Sequence, residues 1–382
     1  MRIWFLLAFL FVGFVGFSQE SDSIQNNSID SISSLSLLKD QQDGALDVSN
    51  FLATKTGFLP VPILITNPAV GYGAVMSVMF FHSSFEESKG YPSITTVLGG
   101  GTQNKSWLAG VFHMQNFWKK KIRYSGAVMF SNFNARFYGL GYTDVLKTKE
   151  VNMNVHGLLF MQKAVLKLGK SNFYSGLQYT YFNSHVSFEP IPDFLKPYTE
   201  KNITLSEIRF IGLYDSRDNF FSPSSGVLSQ VSVRVSDQVI GATEAYFGLE
   251  SYAMGYVPIK NKHQIGLKIG LNGVADGAPF FAQPFVNNRG VAFMRYQDQY
   301  VFQSEFEMQL NIYKRWSLVG FAGVGDAWGT NSNFFEKDFS TSGGAGFRYL
   351  LARKFGMKAG VDFAYDEQFA FQIVVGSAWL RN

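Results

Sequence analysis

The chain of 382 residues contains no cysteine. Disulfides, thiolate metal sites, thiol nucleophiles and a lipid-modified N-terminal cysteine are therefore excluded. Charged residues are also scarce, at 16% of the sequence, whereas soluble domains carry about 25%. Beyond the N-terminus there is no run of about 20 uncharged apolar residues, which excludes a polytopic helical membrane protein.

Aromatic residues, in contrast, are abundant: the chain has 39 Phe, 18 Tyr and 6 Trp. Hydrophobic residues make up 46% of the sequence, yet the mean hydropathy is only +0.01, so apolar and polar residues must be finely interleaved. Such a chain can bury enough apolar surface to exclude disorder as its main state. The net charge of +4 is spread along the chain without a basic stripe, and nucleic acid is not predicted as a partner.

The N-terminus has the composition of an export signal. Arg2 precedes an apolar stretch over residues 3–17, and small residues lie near Ser18. We expect a signal peptide over residues 1–18, with an N-terminal anchor helix as the alternative interpretation. Residues 19–56 are rich in Ser, Asp, Gln and Asn without sustained periodicity, which predicts a flexible periplasmic tail.

From residue 57 the hydrophobic period becomes two, the period of β-strands. Residues 263–274 alternate apolar side chains with polar or small ones, and residues 301–313 repeat the pattern with Glu305 and Glu307 on the polar face. A soluble β-sandwich can produce single strands of this kind. A long series of them after an export signal favours an all-β transmembrane barrel, apolar outside and polar inside.

Sixteen such segments can be counted, although irregular ones leave twelve or fourteen strands open. Long connections, such as residues 276–299, follow odd-numbered segments, and tight turns, such as residues 353–355, follow even-numbered ones. This asymmetry is typical of outer-membrane barrels. It predicts an antiparallel barrel over residues 57–382 in the outer membrane, with both termini in the periplasm.

Specific motifs then resemble a known family. The connection after the eighth segment matches a DxRDNxxxPxxG turn, with Asp215, Arg217, Asp218, Pro223 and Gly226 at the motif positions. This turn resembles that of the BamA/TamA superfamily of outer-membrane assembly factors, the bacterial surface antigen barrel. The resemblance implies that the turn lies on the periplasmic side.

Further motifs of the same superfamily follow in order. Arg289 and Gly290 resemble the Arg-Gly motif of its sixth extracellular loop, which folds back into the lumen, and Phe321 to Gly325 resemble its FxDxG motif. The acidic position of FxDxG is Gly323, so the family's usual anchor for the loop arginine is missing. Candidate lumenal partners of Arg289 are found on the polar faces of the last strands: Glu305, Glu307, Phe321, Gly325, Arg348 and Asp362.

The last segment carries the family's C-terminal strand signal on one face, namely Phe371, Ile373, Val375 and Trp379. Periplasmic POTRA modules, of about 75 residues each in the family, do not fit before the barrel, so the chain resembles a subgroup lacking them. The resemblance implies a non-enzymatic protein that assists the assembly or insertion of outer-membrane proteins or lipid through a weak seam between the first and last strands.

Two other functions stay open at this point. The polar lumen and the loss of the acid at Gly323 suggest a channel or passive pore. The absence of a recruitment module suggests a structural barrel subunit of a larger outer-membrane complex, or a homodimer. Outer-membrane lipid is the expected surrounding in each case. No cofactor, metal or catalytic residue is predicted, because the five histidines are scattered without metal-ligand spacing.

Overall fold

The structure is a computed structural model that describes residues 38–52, 58–66, 69–82, 91–138, 151–191, 196, 201–260, 263–275, 277–330, 333–336 and 339–380. The expected signal peptide and most of the expected tail lie outside the described residues. Within these ranges, no helix has both the length and the apolar character needed to cross a membrane.

Sixteen antiparallel strands form one sheet in which each strand pairs with the next along the chain. Their bounds are β1 (Phe58–Ile65), β2 (Gly73–Phe81), β3 (Ile94–Thr102), β4 (Trp107–Phe117), β5 (Ile122–Phe137), β6 (Val151–Lys167), β7 (Phe173–Glu189), β8 (Lys201–Asp215), β9 (Gly226–Ser236), β10 (Tyr246–Pro258), β11 (Gln264–Val274), β12 (Tyr300–Tyr313), β13 (Trp316–Trp328), β14 (Ser340–Ala352), β15 (Met357–Asp366) and β16 (Gln368–Val375). The all-β barrel and its strand number are thereby confirmed, and twelve or fourteen strands are excluded.

The two faces of the strands are sorted by polarity. On β11 the side chains of Leu267, Ile269 and Leu271 point outward and are 42–48% exposed, while Lys268 points inward and is 2% exposed. Apolar residues outside and charged residues inside are the reverse of a water-soluble core. Period-two alternation therefore positions the charged groups in the lumen, where they can meet across the barrel.

The connections differ at the two ends of the barrel. The short turns at residues 314–315 and 353–356 define what we call the turn end, and the long connection over residues 275–299 lies at the opposite loop end. The parity expected from the sequence, with long connections after odd-numbered strands, holds for these elements.

Among the described residues, no ladder of backbone hydrogen bonds joins β1 to β16, and we call this junction the seam. Across this seam, the hydrogen bonds found among the described residues are made by one side chain: the Thr66 hydroxyl donates to the Phe371 carbonyl and accepts from the Phe371 amide at 3.0 Å. Pro60 and Pro62 lie in β1 and lack amide donors. The seam is therefore the least hydrogen-bonded junction of the sheet.

Residues 38–52, which we call the strap, have defined structure at the turn end, unlike the flexible tail expected through residue 56. Lys39 and Leu46 form a β-bridge, and the strap ends in the short helix α1 (Ser49–Leu52). Leu52 is 1% exposed. Polar composition predicts flexibility, but specific arginine partners on the barrel, described below, hold this segment.

The C-terminal strand is also shorter than expected. β16 ends at Val375, and Gly376 takes a left-handed φ of 85°. The chain then turns inward, so Trp379 does not continue the face of Phe371 and Ile373 as predicted; its ring is 4% exposed and packs on Tyr256 inside the barrel. The Gly376 conformation, which side chains other than glycine disfavour, accounts for the change of direction.

Candidate functional site

The connection between β11 and β12, loop six, folds into the lumen. A 3₁₀ turn at Phe280–Ala282 begins its descent, and Phe285 and Gln297 form an antiparallel bridge that turns the loop into a narrow finger. The Val286 amide donates to the Tyr296 carbonyl below this bridge at 2.9 Å. The tip of the finger carries Arg289.

The Arg289 guanidinium meets three carboxylates. Its Nε donates to Glu305 Oε1 at 2.8 Å, and its Nη1 lies 2.8 Å from Glu307 Oε2 and 2.9 Å from Asp362 Oδ2. The Arg289 amide also donates to Glu305 Oε2 at 2.9 Å. The side chain is 5% exposed, so each partner offsets part of the desolvation cost of the buried cation. Below the guanidinium, the Phe321 ring centroid lies 3.7 Å from Cζ, as a cation-π contact requires.

A second layer of contacts holds the carboxylates. Arg348 donates to both oxygens of Asp362, at 2.6 and 2.8 Å. Glu305 lies opposite Lys268 in the β11–β12 register. Two arginines and one lysine thus accompany the three acids, so the formal charges of the cluster balance.

Asn288, the residue before Arg289, occupies the space beside Gly323, where the family has an acidic residue. A Cβ on Gly323 would come within 3.0 Å of the Asn288 side-chain amide, which donates to the carbonyls of Ser304 and Val324. Loop six is therefore anchored to β13 through Asn288, and its arginine is anchored to β12 and β15. The sequence offers the three acids as alternatives; the structure brings all of them to Arg289 and adds Asn288, which the motif does not mark.

Two glycines let the finger approach the wall. Gly290 has φ 89°, and a Cβ there would lie 3.0 Å from the Ala364 side chain. A Cβ on Gly325 would lie 2.4 Å from Val286 of the finger. Both positions therefore need glycine for close packing of loop six, in the first case also for backbone conformation.

Trp379 is the residue that connects loop six to the end of the chain. Its indole donates to Glu305 Oε1, the same atom that accepts from Arg289. A Cβ on Gly266 would come within 2.7 Å of the indole ring, so this glycine makes the space for it. The signal for this contact in the sequence is weak, since it consists of Gly376 interrupting the last strand, and alternation alone does not predict it.

The turn motif lies at the turn end, away from Arg289. Asp215 accepts from Arg217 Nε at 2.9 Å and from Arg123 Nη1 at 2.7 Å. Asp218 accepts from the backbone amides of Ser224 and Ser225, and these hydrogen bonds lower the pKa of Asp218 against the opposing effect of burial.

The rest of the motif shapes this turn. Gly226 has φ 95°, and a Cβ there would meet the Ser216 carbonyl at 2.3 Å. Pro223 presents its carbonyl to the Gln264 side-chain amide. Between them, Phe221 is buried against Phe355 and Phe81, so the turn fills the turn end with aromatic side chains.

The strap is clamped at the same end by Arg315, from the β12–β13 turn. Its guanidinium contacts Asp40, Asp43 and Asp47, the last at 2.8 Å from Nη1. The hydrogen bond from Arg315 lowers the pKa of Asp43 to about 2. Burial acts to raise the pKa of Asp47, but hydrogen bonds from Ser49, the Arg353 amide and Arg315 more than offset it, and the pKa is lowered.

The strap is also tied to the last strands. The Val48 amide donates to the Leu351 carbonyl at 3.0 Å, and the Lys354 amide donates to the Ser49 hydroxyl at 3.0 Å. The strap binds the β12–β13 and β14–β15 turns and is followed in the chain by β1. It therefore connects these turns to β1, on the other side of the seam from β16. At the turn end, these contacts of the strap hold the two sides of the seam together in the absence of a backbone ladder.

Metal chemistry has no basis in the part of the chain that the structure describes, where His, Asp and Glu form no group of three suited to a metal ion. Four of the five histidines instead meet in two pairs, His82 with His113 and His156 with His185, whose ring centroids lie 5.8 and 5.1 Å apart.

No protein-family model and no curated protein sequence matches the chain. Solved structures do resemble it. BamA from Haemophilus ducreyi lacking POTRA domains 1–3 aligns with a TM-score of 0.52 at 12% identity, over 84% of this chain and 70% of that one. CdiB from Acinetobacter baumannii aligns with a TM-score of 0.53 at 7% identity, over 83% of this chain and 59%, less than two thirds, of that one. The BamA-like barrel fold expected from the sequence motifs is thereby confirmed.

Proposed function

We propose that this protein is an outer-membrane β-barrel that assists the insertion of other outer-membrane proteins or of lipid. The observation that carries the proposal is the seam, where one threonine hydroxyl bridges β1 and β16 in place of a ladder. Among the described residues no backbone ladder joins β1 to β16, so separating these strands should cost less than separating two strands that a ladder joins. The likeness to BamA supports this function by analogy of fold alone.

The outward face of the strands supports the membrane location. Exposed Leu, Ile, Val and Phe side chains cover successive strands, including Val97 at 46%, Phe210 at 55% and Leu318 at 48% exposure. A wall of this kind is stable only against lipid. By analogy with barrels of known orientation, we assign the turn end to the periplasm, and with it the strap and the end of β16. The signal peptide over residues 1–18 belongs to the same proposal.

In this proposal, loop six and the strap control when the seam between β1 and β16 opens. Trp379, at the end of the chain that forms β16, shares Glu305 with Arg289 of loop six. The strap ties β1 to the turns of the last strands. In the proposed mechanism, β16 can leave β1 only when Trp379 withdraws from the lumen or the strap releases the Arg315 clamp.

A crosslink tests the proposal directly. Cysteines at Thr66 and Phe371 would join β1 to β16, and the absence of native cysteines removes competing disulfides. We expect the oxidised variant to lose function in cells and in liposome insertion assays, and to regain it on reduction. The matched control joins Met161 to Thr180, direct partners in the β6–β7 ladder, and should function in both redox states. Full function of the oxidised seam variant would refute lateral opening.

Depletion in cells identifies the client. General loss of outer-membrane barrels would support a broad assembly role, and loss of a few proteins a dedicated one. No loss of any protein or lipid component, together with a large steady conductance that Arg289→Ala leaves unchanged, would instead support the passive pore.

A further inference from the structure

A cavity separate from the loop-six site lies in the turn-end half of the lumen. It has a volume of about 120 Å³ and is lined by inward-facing side chains of β5, β6, β8, β9 and β10 together with Tyr91 and Arg217. The groups that matter for its chemistry are Arg123, Lys163, Asp215, Arg217 and Gln230. This volume is enough for several waters or one small ligand.

Cations outnumber acids in the cavity wall. Asp215 is the carboxylate of the lining, and it is shared between Arg123, at 2.7 Å, and Arg217, at 2.9 Å. These three groups together keep one positive charge. The side chains of Asp215 and Arg217 are each 7% exposed, so solvent screens this charge only partly.

Lys163 adds a second positive charge that forms no salt bridge within the described residues, although the charge of Glu250 acts on it. Among the described residues, its Nζ has one hydrogen-bond acceptor, the neutral amide oxygen Oε1 of Gln230, at 2.8 Å. A buried ammonium held by an amide alone is costly unless an anion accompanies it.

The acidic side chains deeper in the lumen already form salt bridges with arginines. Glu250 is bound by Arg209, and Glu207 is bound by both Arg209 and Arg234. Within this one network, the five cations Arg123, Arg217, Lys163, Arg209 and Arg234 accompany the three acids Asp215, Glu250 and Glu207, and the excess is centred on Lys163 and the two arginines beside the cavity.

We propose that this cavity binds a phosphate group, either as free phosphate or as the phosphate monoester of a lipid headgroup. Arg123 and Arg217 present planar guanidinium groups, which suit the tetrahedral oxygens of phosphate, and Lys163 supplies a compact positive charge from β6, the strand paired with that of Arg123. Stacking of Arg123 on Tyr174, whose ring centroid lies 4.1 Å from Cζ, fixes the orientation of that guanidinium. The site does not depend on lateral opening and stands apart from the proposed insertion function.

Calorimetric titration of inorganic phosphate into the full chain, in a maltoside detergent that contains no phosphate, tests the proposal. We expect saturable binding of one phosphate per chain. Lys163→Gln should weaken the affinity by roughly 10- to 100-fold, the effect of losing one charge-assisted hydrogen bond, while Lys163→Arg should retain binding. Lys105→Gln removes the same charge from the exposed β3–β4 connection at the loop end and should change the affinity by less than about threefold.

Folding of each variant is checked by its heat-modifiable migration in gels, so that loss of binding by a folded Lys163→Gln protein reports on the site itself. Absence of saturable binding to the folded wild-type protein, or equal affinities of the Lys163→Gln and Lys105→Gln variants, would overturn the proposal.

Two further titrations separate the sources of the phosphate group. Glycerol 3-phosphate and short-chain phosphatidic acid should both compete with inorganic phosphate if the cavity takes a lipid headgroup. Competition by neither would assign the site to free phosphate. Both outcomes support the site, since each requires binding that depends on Lys163.

Discussion

Replacing Arg289 by methionine should destabilise the barrel through the acids that it leaves behind. Methionine keeps much of the side-chain volume over Phe321 but removes the charge. After the substitution, Asp362 keeps Arg348, and Glu305 keeps the indole of Trp379. Glu307, at 8% exposure, loses the ion pair it makes within the described structure. Most of the lost folding stability should therefore come from the unpaired carboxylate of Glu307.

The magnitude follows from burial. Removing one partner from a buried ion pair costs about 3–5 kcal/mol, because the remaining charge keeps its desolvation penalty. Replacing Glu307 by glutamine in the same chain removes the orphaned charge, and we expect the double variant to recover about 1–3 kcal/mol. Arg353→Met is the matched control: that arginine is 34% exposed, and its loss should cost about 1 kcal/mol or less.

Urea unfolding of the protein refolded in liposomes measures these differences. Tryptophan fluorescence is a suitable signal, since Trp379 lies against the same cluster. Protease cleavage within residues 277–298 gives a second reading, because a released loop six becomes accessible. If Arg289→Met cost no more than the control, or if adding Glu307→Gln destabilised the single variant further, the cluster would not hold loop six as we describe.

Three further outcomes are expected. The pKa of Asp43 is about 2 in the folded protein and about 3.9 in the unfolded chain, so the ion pair with Arg315 stabilises the strap fully above about pH 4. This stabilisation is lost as the pH falls towards 2, and protease cleavage of the strap should increase over that window. The Arg315→Ala variant should make the strap cleavable at neutral pH. Trp379→Phe keeps a smaller aromatic ring but loses the indole hydrogen bond to Glu305, and should destabilise the barrel by about 1–3 kcal/mol in the urea assay; an unchanged midpoint would show that the C-terminus is not coupled to loop six. Gly290→Ala should cost about 1–3 kcal/mol through its positive φ, and an unchanged midpoint would contradict that strain.

Much of the barrel is predictable because alternation is a local property. The polar face of residues 301–313 is enough to place Glu305 and Glu307 in the lumen, and the same reasoning places Asp362 there. Register across strands is not local, so the sequence leaves open which acid meets Arg289. All three meet it, because β12 and β15 converge on the finger of loop six.

Other parts depend on contacts that no local pattern encodes. Composition predicts a flexible strap because its aspartates resemble solvated residues; only the distant Arg315 gives them a fixed position. Alternation up to Val375 predicts that Trp379 continues the last strand, but one glycine reverses the chain. Nothing in the sequence distinguishes Lys163, since a single lysine on a polar face shows nothing of the charges around it.

The strap also sets a constraint on the order of folding. Each strand pairs with its sequence neighbour and can form as soon as both are present. Asp43 and Arg315, in contrast, are 272 residues apart, and synthesis delivers the aspartate first. The earliest described segment of the chain must therefore wait for the twelfth and thirteenth strands before it can settle. Until then this segment lacks its arginine partner, and completion of the barrel coincides with the moment at which its first described residues reach their final contacts.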